Sequence, residues 1–290
     1  MPDIPVWNKC DNKCLMCANT AGFSANTSRD YSLARQAARL ELHLRGRAAY
    51  RKNARVPGAW NLTGGEPTLN PDFLKAVAYF RRRLPGETLT LLSNGRRFAD
   101  PAFAAAFSAA ARPPFRLAVS LHGHTAALHD KVTGVKGSFA QTLAGLRNIM
   151  AAGSPELELR VILHRLNYRS LGRILSLVKR TCPGRRVVVM HYEHEGRGAR
   201  NAALLDVSLA ATAAAVNACA RSLKGFGEAA LYHFPLCLLA PGLRPLAAVS
   251  LPPEDRVYPA ACSACRSRQS CPGLMRQYAR LHGRSGVKPI

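Results

Sequence analysis

The chain has 290 residues and a formal net charge of +24, because 41 lysine and arginine side chains outnumber 17 aspartate and glutamate side chains. A hydrophobic content of 48% and a charged content of 20% are typical of a globular protein and exclude a disordered or collagen-like chain. The sequence contains no long apolar run that predicts a membrane span, and its first residues do not form a secretory signal. We therefore expect a cytoplasmic protein whose nine cysteines are metal ligands or reactive groups rather than disulfides.

The basic side chains, 32 arginines and 9 lysines, leave two interpretations open. They could bind an anionic partner such as nucleic acid, a nucleotide or an acidic peptide. They could equally form a solvated surface, as charged runs usually do. Few aromatic residues lie beside these runs, which weakens the case for a platform that stacks single-stranded bases.

Short apolar segments alternate with helical patterns along the first three quarters of the chain. The predicted strands span 4–8, 59–63, 88–93, 116–121, 157–164 and 186–192, and the predicted helices span 32–52, 71–83, 101–111, 138–152, 170–180 and 208–223. Asn70 is the predicted N-cap of the second helix, with Pro71 as its first residue. This alternation predicts an α/β fold with a parallel sheet, and fewer units than a closed eight-unit barrel needs. We predict a partial (β/α)6 TIM-like barrel over residues 1–223.

Three cysteines follow the first predicted strand directly. Cys10, Cys14 and Cys17 have the spacing C-x3-C-x2-C. Three thiolates on one short loop suit a cubic iron–sulfur cluster, and they leave one iron without a protein ligand. Zinc sites usually have two separated pairs of ligands, so this clustering argues against zinc. An iron with an open position can bind and activate a small molecule.

Three short motifs end successive predicted strands. Gly64-Gly65-Glu66-Pro67 follows the second strand, Ser93-Asn94-Gly95 ends the third, and Ser120-Leu121-His122 ends the fourth. In this order, and after the three-cysteine loop, they resemble the radical S-adenosylmethionine (SAM) superfamily. The resemblance implies a 4Fe–4S cluster held by Cys10, Cys14 and Cys17, with SAM bound at the open iron.

The resemblance also assigns contacts to SAM. Glu66 and free carbonyl groups of the glycine pair are expected to hold the methionine ammonium group, since two glycines let the backbone approach a ligand closely. Met16 stands where the family usually has an aromatic residue next to the adenine, and a thioether can also contact an adenine face. The residues expected at SAM are Met16, Gly64, Gly65, Glu66, Ser93, Asn94 and Ser120.

The segment 224–290 is rich in proline and predicts a small, loop-rich domain that a metal organises. It contains Cys237, Cys262, Cys265 and Cys271. Four thiolates can close a second iron–sulfur cluster, and a structural zinc site is the alternative. Within the superfamily this spacing resembles the twitch domain, a short form of the SPASM domain, which implies a second, auxiliary 4Fe–4S cluster. Cys182 and Cys219 lie in helical patterns and are expected to be small buried residues.

Further segments resemble radical SAM maturases of ribosomally made peptides, of the His-Xaa-Ser system type. They are His129-Asp130, Gly137-Ser138-Phe139, residues 160–165 and residues 196–201. The resemblance implies an oxidoreductase that cleaves SAM reductively and abstracts hydrogen from a precursor peptide, for cross-linking or another oxidative modification. It also implies an electron donor such as flavodoxin or ferredoxin. Cys10 lies close to the start of the sequence, so we expect any leader peptide to be bound by another surface or a separate protein.

Polar side chains cluster at the predicted ends of strands four to six. His191, Tyr192 and Glu193 are the candidates for an acid, a base or a substrate clamp. The alternative for each is polar packing or a contact to SAM. The other members of this group are His122, His164, Arg165 and Glu195.

Two other functions stay open at this point. The substrate of a radical SAM enzyme could instead be a small phosphorylated molecule, a nucleotide, a sugar or RNA, which the arginines would bind. From a different class, the chain could be a nucleic-acid-binding protein with structural clusters. Gly64-Gly65-Glu66 disfavours this last function, because a structural cluster needs no methionine-binding loop.

Overall fold

The computed structural model describes residues 3–47, 50, 58–153, 155–283 and 286–290. In these residues the strands are β1 Asp3–Trp7, β2 Ala59–Gly64, β3 Thr88–Ser93, β4 Phe115–Ser120, β5 Glu156–Leu163, β6 Arg186–His191, β7 Glu228–Tyr232, β8 Ala247–Ala248, β9 Arg256–Val257 and β10 Leu274–Met275. The helices are α1 Ala21–Ala25, α2 Leu33–Leu44, α3 Phe73–Arg83, α4 Pro101–Ala110, α5 Ala126–Thr133, α6 Ser138–Ala151, α7 Leu171–Thr181, α8 Gly196–Arg200, α9 Ala202–Leu205, α10 Leu209–Ala218, α11 Ala220–Lys224 and α12 Arg276–His282.

Strands β1 to β8 form one sheet in the order in which they occur in the chain. The pairs β1–β2, β2–β3, β3–β4, β6–β7 and β7–β8 are all parallel, whereas β9 and β10 form a separate antiparallel pair. Helices connect most of the parallel strands, as crossover connections must. This architecture confirms the predicted α/β class and its partial TIM-like barrel.

The chain forms two compact units, which we describe one at a time. The first unit comprises Met1–Lys13, Asn19–Ser120 and Val135–Glu158, and the second comprises Cys14–Ala18, Leu121–Gly134 and Leu159–Ile290. The sequence-based boundary at residue 223 is a different division and stays a prediction.

The core of the first unit lies between its strands and the helices α3, α4 and α6. Phe107 of α4 lies at its centre, with ring centroids 5.8 Å from Phe73 and 4.9 Å from Phe98. All three rings are at most 2% exposed, and burying one such side chain contributes about 1.5–3 kcal/mol. Helix α4 begins where Asp100 accepts hydrogen bonds from two backbone N–H groups and Pro101 occupies the first turn.

The second unit is built around strand β6. Three consecutive valines of this strand, residues 187–189, are fully buried, which is typical of a parallel strand that is covered on both faces. Helix α7 buries Leu171, Ile174, Leu175 and Val178, whose spacing places them on one face of the helix. Cys182 is buried as expected, and Cys219 is half-buried.

Several helix boundaries differ from the sequence-based ones. Helix α2 ends at Leu44; residues 48, 49, 51 and 52 of the predicted helix 32–52 lie outside the described residues. Helix α3 begins at Phe73 rather than Pro71, because the side-chain oxygen of Asn70 accepts a hydrogen bond from Asp72 N and so stabilises a turn before the helix. The predicted helix 208–223 is divided into α10 and α11 at Cys219. None of the helices in the described ranges is both long and apolar enough to cross a membrane.

Candidate functional site

The glycine pair after β2 packs against the backbone that leads into the first cysteine. A Cβ atom on Gly64 would lie 2.0 Å from the carbonyl oxygen of Trp7, and one on Gly65 would lie 2.3 Å from that of Lys9. The N–H groups of Gly65 and Glu66 donate to these same two oxygens, at 2.8 Å each. Gly64 also has a φ of 140°, which side chains rarely tolerate. The glycines are therefore required for close packing of residues 7–9 in the first unit.

Glu66 joins the loop after β2 to the end of β3. Its Oε1 accepts hydrogen bonds from Thr68 N at 3.2 Å, Thr68 Oγ1 at 2.6 Å and Ser93 Oγ at 2.8 Å. Its Oε2 accepts one from Asn94 N at 2.7 Å. Burial raises the pKa of this carboxyl group, although the hydrogen bonds oppose the shift. Its described partners are thus protein groups, and contact with a SAM ammonium group stays a prediction.

The loop that carries Cys10 is held by residues that follow β3. Asn94 Nδ2 donates to Asp11 Oδ1 at 2.7 Å. Arg96 Nη1 donates to Asp11 O and to Asn12 Oδ1 at 2.8 Å each, and it pairs with Asp11 Oδ2 at 3.0 Å. The sequence does not reveal these contacts, since Arg96 is there simply one of two adjacent arginines. The amide of Asn94 and the guanidinium group of Arg96 thus hold the residues on the C-terminal side of Cys10.

In the second unit, helix α8 and the residue after it hold the loop of the other two cysteines. Arg197 N donates to Cys17 O at 2.8 Å, and Asn201 Nδ2 donates to Leu15 O at 2.8 Å. Cys17 N closes a turn onto Cys14 O at 3.3 Å. These contacts give a structural role to the segment 196–201, which the sequence identified only by resemblance.

Met16, the residue expected beside adenine, is 4% exposed. It belongs to a hydrophobic cluster with Val132, Tyr192, Leu205 and Val207. Its side chain therefore contributes to the core of the second unit. Ser120, also expected at SAM, is the last residue of β4 and is half-buried. Contact of either residue with SAM stays a prediction.

The three cysteines of the first loop match the donor set of an iron–sulfur cluster. Cys10 is exposed, and Cys14 and Cys17 are half-buried, so none of the three is enclosed in the core. Thiolates are the ligands that iron–sulfur clusters take, and three of them leave one iron open. The residues present therefore fit a 4Fe–4S cluster with a free coordination position.

The three candidate catalytic residues differ in their surroundings. His191 and Tyr192 are fully buried. His191 Nδ1 lies 3.0 Å from Thr212 Oγ1, and burial lowers the pKa of this imidazole well below its usual range. Glu193 is half-exposed, with Oε1 3.6 Å from His233 Nε2. The contacts of His191 and Tyr192 are those of polar packing, and a catalytic role for any of the three stays a prediction.

The other polar candidates at the strand ends are likewise either buried or at least partly exposed. His122 and His164 are buried, and burial lowers the pKa of His164 to about 4. Arg165 is exposed and donates from Nε to Leu204 O at 3.1 Å. Glu195 Oε1 accepts a hydrogen bond from Gln277 Nε2 at 2.5 Å. The exposed or half-exposed members are thus held by neighbouring groups of the second unit.

The last four cysteines line one cavity in the second unit. This open cavity has a volume of about 360 Å³, and its lining includes Cys237, Cys262, Cys265 and Cys271. Leu236 N and Gly273 N each lie 3.4 Å from Cys271 Sγ as hydrogen-bond donors. Burial raises the pKa of Cys262, and the other three cysteines raise it further. The thiols are therefore close enough to influence one another electrostatically.

A sequence profile of the radical SAM superfamily matches residues 4–178. The chain belongs to the radical SAM superfamily. Membership implies a 4Fe–4S cluster and SAM, in agreement with the donor set of the first loop.

Curated relatives in the superfamily match about half of this chain. Over 139 residues the chain is 34% identical to mycofactocin maturase MftC of Mycobacterium ulcerans (strain Agy99). This match covers 48% of this chain and 36% of that protein. Over 155 residues the chain is 34% identical to PqqA peptide cyclase of Ruegeria pomeroyi. This match covers 53% of this chain and 40% of that protein. The matches thus span well under half the length of these relatives.

A solved radical SAM structure has a similar fold. The crystal structure of Streptococcus suis SuiB bound to S-adenosylmethionine superposes with a TM-score of 0.56 and covers 79% of this chain and 49% of that chain. Sequence identity is 14%. At this identity the likeness concerns the fold alone.

Proposed function

We propose that the protein is a radical SAM enzyme that modifies a ribosomally made peptide. The proposed enzymatic activity is supported above all by the loop of three cysteines in a chain that belongs to the radical SAM superfamily. The glycine pair, Asn94 and Arg96 anchor this loop on the side of Cys10. The peptide substrate is supported by two relatives named as a maturase and a peptide cyclase.

The protein's own residues prepare the site for this chemistry. Cys10, Cys14 and Cys17 would hold the 4Fe–4S cluster. Bound there, the cluster would supply the electron that cleaves SAM reductively to the 5′-deoxyadenosyl radical, which abstracts hydrogen from the substrate. Arg96 and Asn94 fix the loop before any ligand binds, so less conformational freedom is lost when the cluster assembles.

We also propose an auxiliary 4Fe–4S cluster on the four C-terminal cysteines. They line one cavity, and four thiolates can close an iron–sulfur cluster. A structural zinc ion is the alternative for the same four ligands. Backbone N–H groups that donate to Cys271 Sγ favour the cluster, because such hydrogen bonds to sulfur are typical of iron–sulfur sites. This cluster would bind substrate or accept an electron.

The partners follow from this function. A precursor peptide would be the substrate, and flavodoxin or ferredoxin would deliver electrons. Another surface of this protein or a separate protein would bind a leader segment of that peptide. The net charge of +24 favours acidic segments in either partner, because arginine binds carboxylates in a bidentate manner.

The test is anaerobic. Reconstituted protein is incubated with SAM and dithionite, with and without a short peptide encoded beside its gene, and 5′-deoxyadenosine and peptide mass are measured. We expect 5′-deoxyadenosine in both reactions and a loss of hydrogen from the peptide. Both products should be absent in Cys14→Ala and present in Cys219→Ala, a half-buried cysteine outside both sets.

Three other results would argue against the proposal. Absence of 5′-deoxyadenosine from the reconstituted wild type would overturn the enzymatic function. Modification of an RNA base, with tight and saturable RNA binding at physiological salt, would overturn the peptide substrate. So would hydrogen abstraction from a nucleotide or sugar phosphate with no change in any peptide.

A further inference from the structure

Three side chains of the second unit, none of them a cysteine, converge on one another. They are His194 after β6, Asp206 after α9 and His282 at the end of α12. Each offers one ligand atom, and the three atoms lie within 4.8 Å of one another. Asp206 Oδ1 lies 3.2 Å from His194 Nε2 and 3.0 Å from His282 Nε2. Two imidazole nitrogens therefore face one carboxylate oxygen.

These distances suit a single metal ion. Zinc binds histidine nitrogen and carboxylate oxygen at about 2.0–2.2 Å in a tetrahedral arrangement, which places neighbouring ligand atoms about 3.3 Å apart. The separations of 3.2 Å and 3.0 Å between Asp206 Oδ1 and the two imidazole nitrogens are close to this value. The hydroxyl of Tyr192 reaches the same point, at 2.7 Å from His194 Nε2 and 3.2 Å from Asp206 Oδ1. Three ligand atoms thus converge, and one tyrosine hydroxyl lies in hydrogen-bond contact with two of them.

Aromatic packing fixes both imidazoles in place. The His282 ring stacks on Tyr278 with centroids 4.3 Å apart and an interplanar angle of 23°. The His194 ring contacts the same tyrosine edge-on at 5.9 Å. Tyr278 is itself anchored, because its hydroxyl accepts a hydrogen bond from Leu209 N at 3.0 Å. Ligands held before the metal arrives lose little freedom on binding it.

The cluster is buried on one side and open on the other. The side chain of His194 is 1% exposed, whereas those of Asp206 and His282 are 39% and 25% exposed. An ion could therefore enter from solvent beside Asp206 and His282. Solvent could also occupy a coordination position that the protein leaves open, as in zinc sites with three protein ligands.

We propose that His194, Asp206 and His282 bind one zinc ion, with water as a further ligand. Two imidazoles and a carboxylate form a harder donor set than the thiolates of the iron–sulfur sites, so the two kinds of site select different metals. Such ligands bind zinc more tightly than ferrous iron. The ion would tie helix α12 to the segments that follow β6 and α9. This site does not depend on the proposed function.

The alternative is a set of hydrogen bonds without metal. In that arrangement His194, His282 and Tyr192 carry the protons, and Asp206 Oδ1 accepts hydrogen bonds from them. The two arrangements differ in a measurable way, because only the metal site holds zinc in a defined shell of nitrogen and oxygen.

The experiment uses the anaerobically reconstituted holoprotein. Excess metal is removed, Zn²⁺ is added in slight excess and removed again by gel filtration, and zinc and iron are counted by mass spectrometry. We expect about one zinc per wild-type chain in addition to the iron of the clusters. Asp206→Asn and His282→Gln should retain less than about a fifth of that zinc with unchanged iron, since each removes one of three ligands. His43→Gln, which removes an imidazole from the first unit, should retain it.

The zinc absorption edge of the wild type decides the ligand set without any variant. We expect nitrogen or oxygen scatterers at about 2.0–2.1 Å and no sulfur. Sulfur scatterers at about 2.3 Å would place the zinc on cysteines and overturn the proposal. A wild type that retains no zinc, or folded variants that retain it fully, would overturn it as well and leave the hydrogen-bonded arrangement.

Discussion

The two cysteine regions of this chain contrast in how they are supported. The first loop, Cys10 to Cys17, lies directly after a strand. In the first unit Asn94 and Arg96 hold its beginning, and in the second unit Arg197 and Asn201 hold its end. The C-terminal cysteines are spread from Cys237 to Cys271, and Cys237 and Cys262 lie in short 3-10 helices. Protein contacts thus support the first loop, whereas we expect the second region to depend more on the ligand that its thiols would bind.

This contrast has a consequence for folding. A loop fixed by protein contacts keeps its conformation when its metal is absent, but a module without extensive secondary structure gains much of its order from metal binding. Variants in the two regions should therefore differ both in what chemistry is lost and in how much structure is lost.

The largest effect is expected from removing two cysteines of the first loop. Cys10→Ala/Cys17→Ala should lower iron from about eight to about four atoms per chain, because one four-iron cluster cannot form. SAM cleavage should fall below detection, while thermal stability changes little. Iron analysis, 5′-deoxyadenosine formation and a melting curve measure these effects. Cleavage at the wild-type rate would contradict the assignment of the first cluster.

The matching double variant in the second region should separate iron content from SAM cleavage. Cys262→Ser/Cys265→Ser is expected to lower iron from about eight to about four while 5′-deoxyadenosine still forms, uncoupled from peptide modification. The melting temperature should fall more than in the first double variant. Cys219→Ser serves as a control with full iron. One zinc per wild-type chain bound to sulfur, and no loss of iron in the double variant, would instead favour the zinc alternative for these cysteines.

A smaller effect is expected at the glycine pair. In Gly65→Ala the new Cβ would meet the carbonyl oxygen of Lys9 at 2.3 Å, so the backbone before Cys10 must shift. Overpacking of this kind costs about 1–3 kcal/mol. A displacement of the cysteine loop should lower SAM cleavage about tenfold or more, as misplacement near reacting groups does.

The matched control is Gly86→Ala, whose Cβ would meet nothing within 4 Å and whose φ is not positive. It should keep full iron and full cleavage. Equal activity in the two alanine variants would show that the close packing of Gly65 does not position the first cluster.

The sequence predicted the sheet better than it predicted the contacts around the first cysteine loop. The six predicted strands are present because their apolar β-branched and leucine-rich runs are a local signal. Strand β7 was missed, since the sequence EAALY has a weak strand pattern. The glycine pair was identified as a site, but its close contact is with Trp7 and Lys9, a packing constraint that spacing cannot reveal.

Contacts between distant residues account for most of what sequence reasoning missed. Arg96 and Asp11 are far apart in sequence, and no periodic pattern connects a basic pair with an acidic residue beside a cysteine. His194, Asp206 and His282 are likewise separated by loops and helices, so their convergence is visible only in the fold. Short motifs thus suggest candidate ligands that lie on one loop, whereas networks assembled from several elements require the three-dimensional structure.

The smallest effect is expected from Arg96→Gln, which tests how far polar contacts position the first loop. The substitution removes the ion pair with Asp11 and at least one of the hydrogen bonds to Asp11 O and Asn12 Oδ1. The arginine side chain is 14% exposed, so these contacts are partly shielded from solvent. Hydrogen bonds to charged groups contribute about 1.5–3 kcal/mol each, and we expect a loss of about 1–3 kcal/mol in stability. SAM cleavage should fall severalfold, with iron content near wild type, because the thiols remain.

The matched control is Arg82→Gln, which removes an arginine that lies over the Tyr79 ring at 5.5 Å. It should change neither the stability nor the rate of SAM cleavage. If Arg96→Gln behaves like this control, the cysteines and glycines alone fix the loop, and the polar anchor has no part in the contrast between the two cysteine regions.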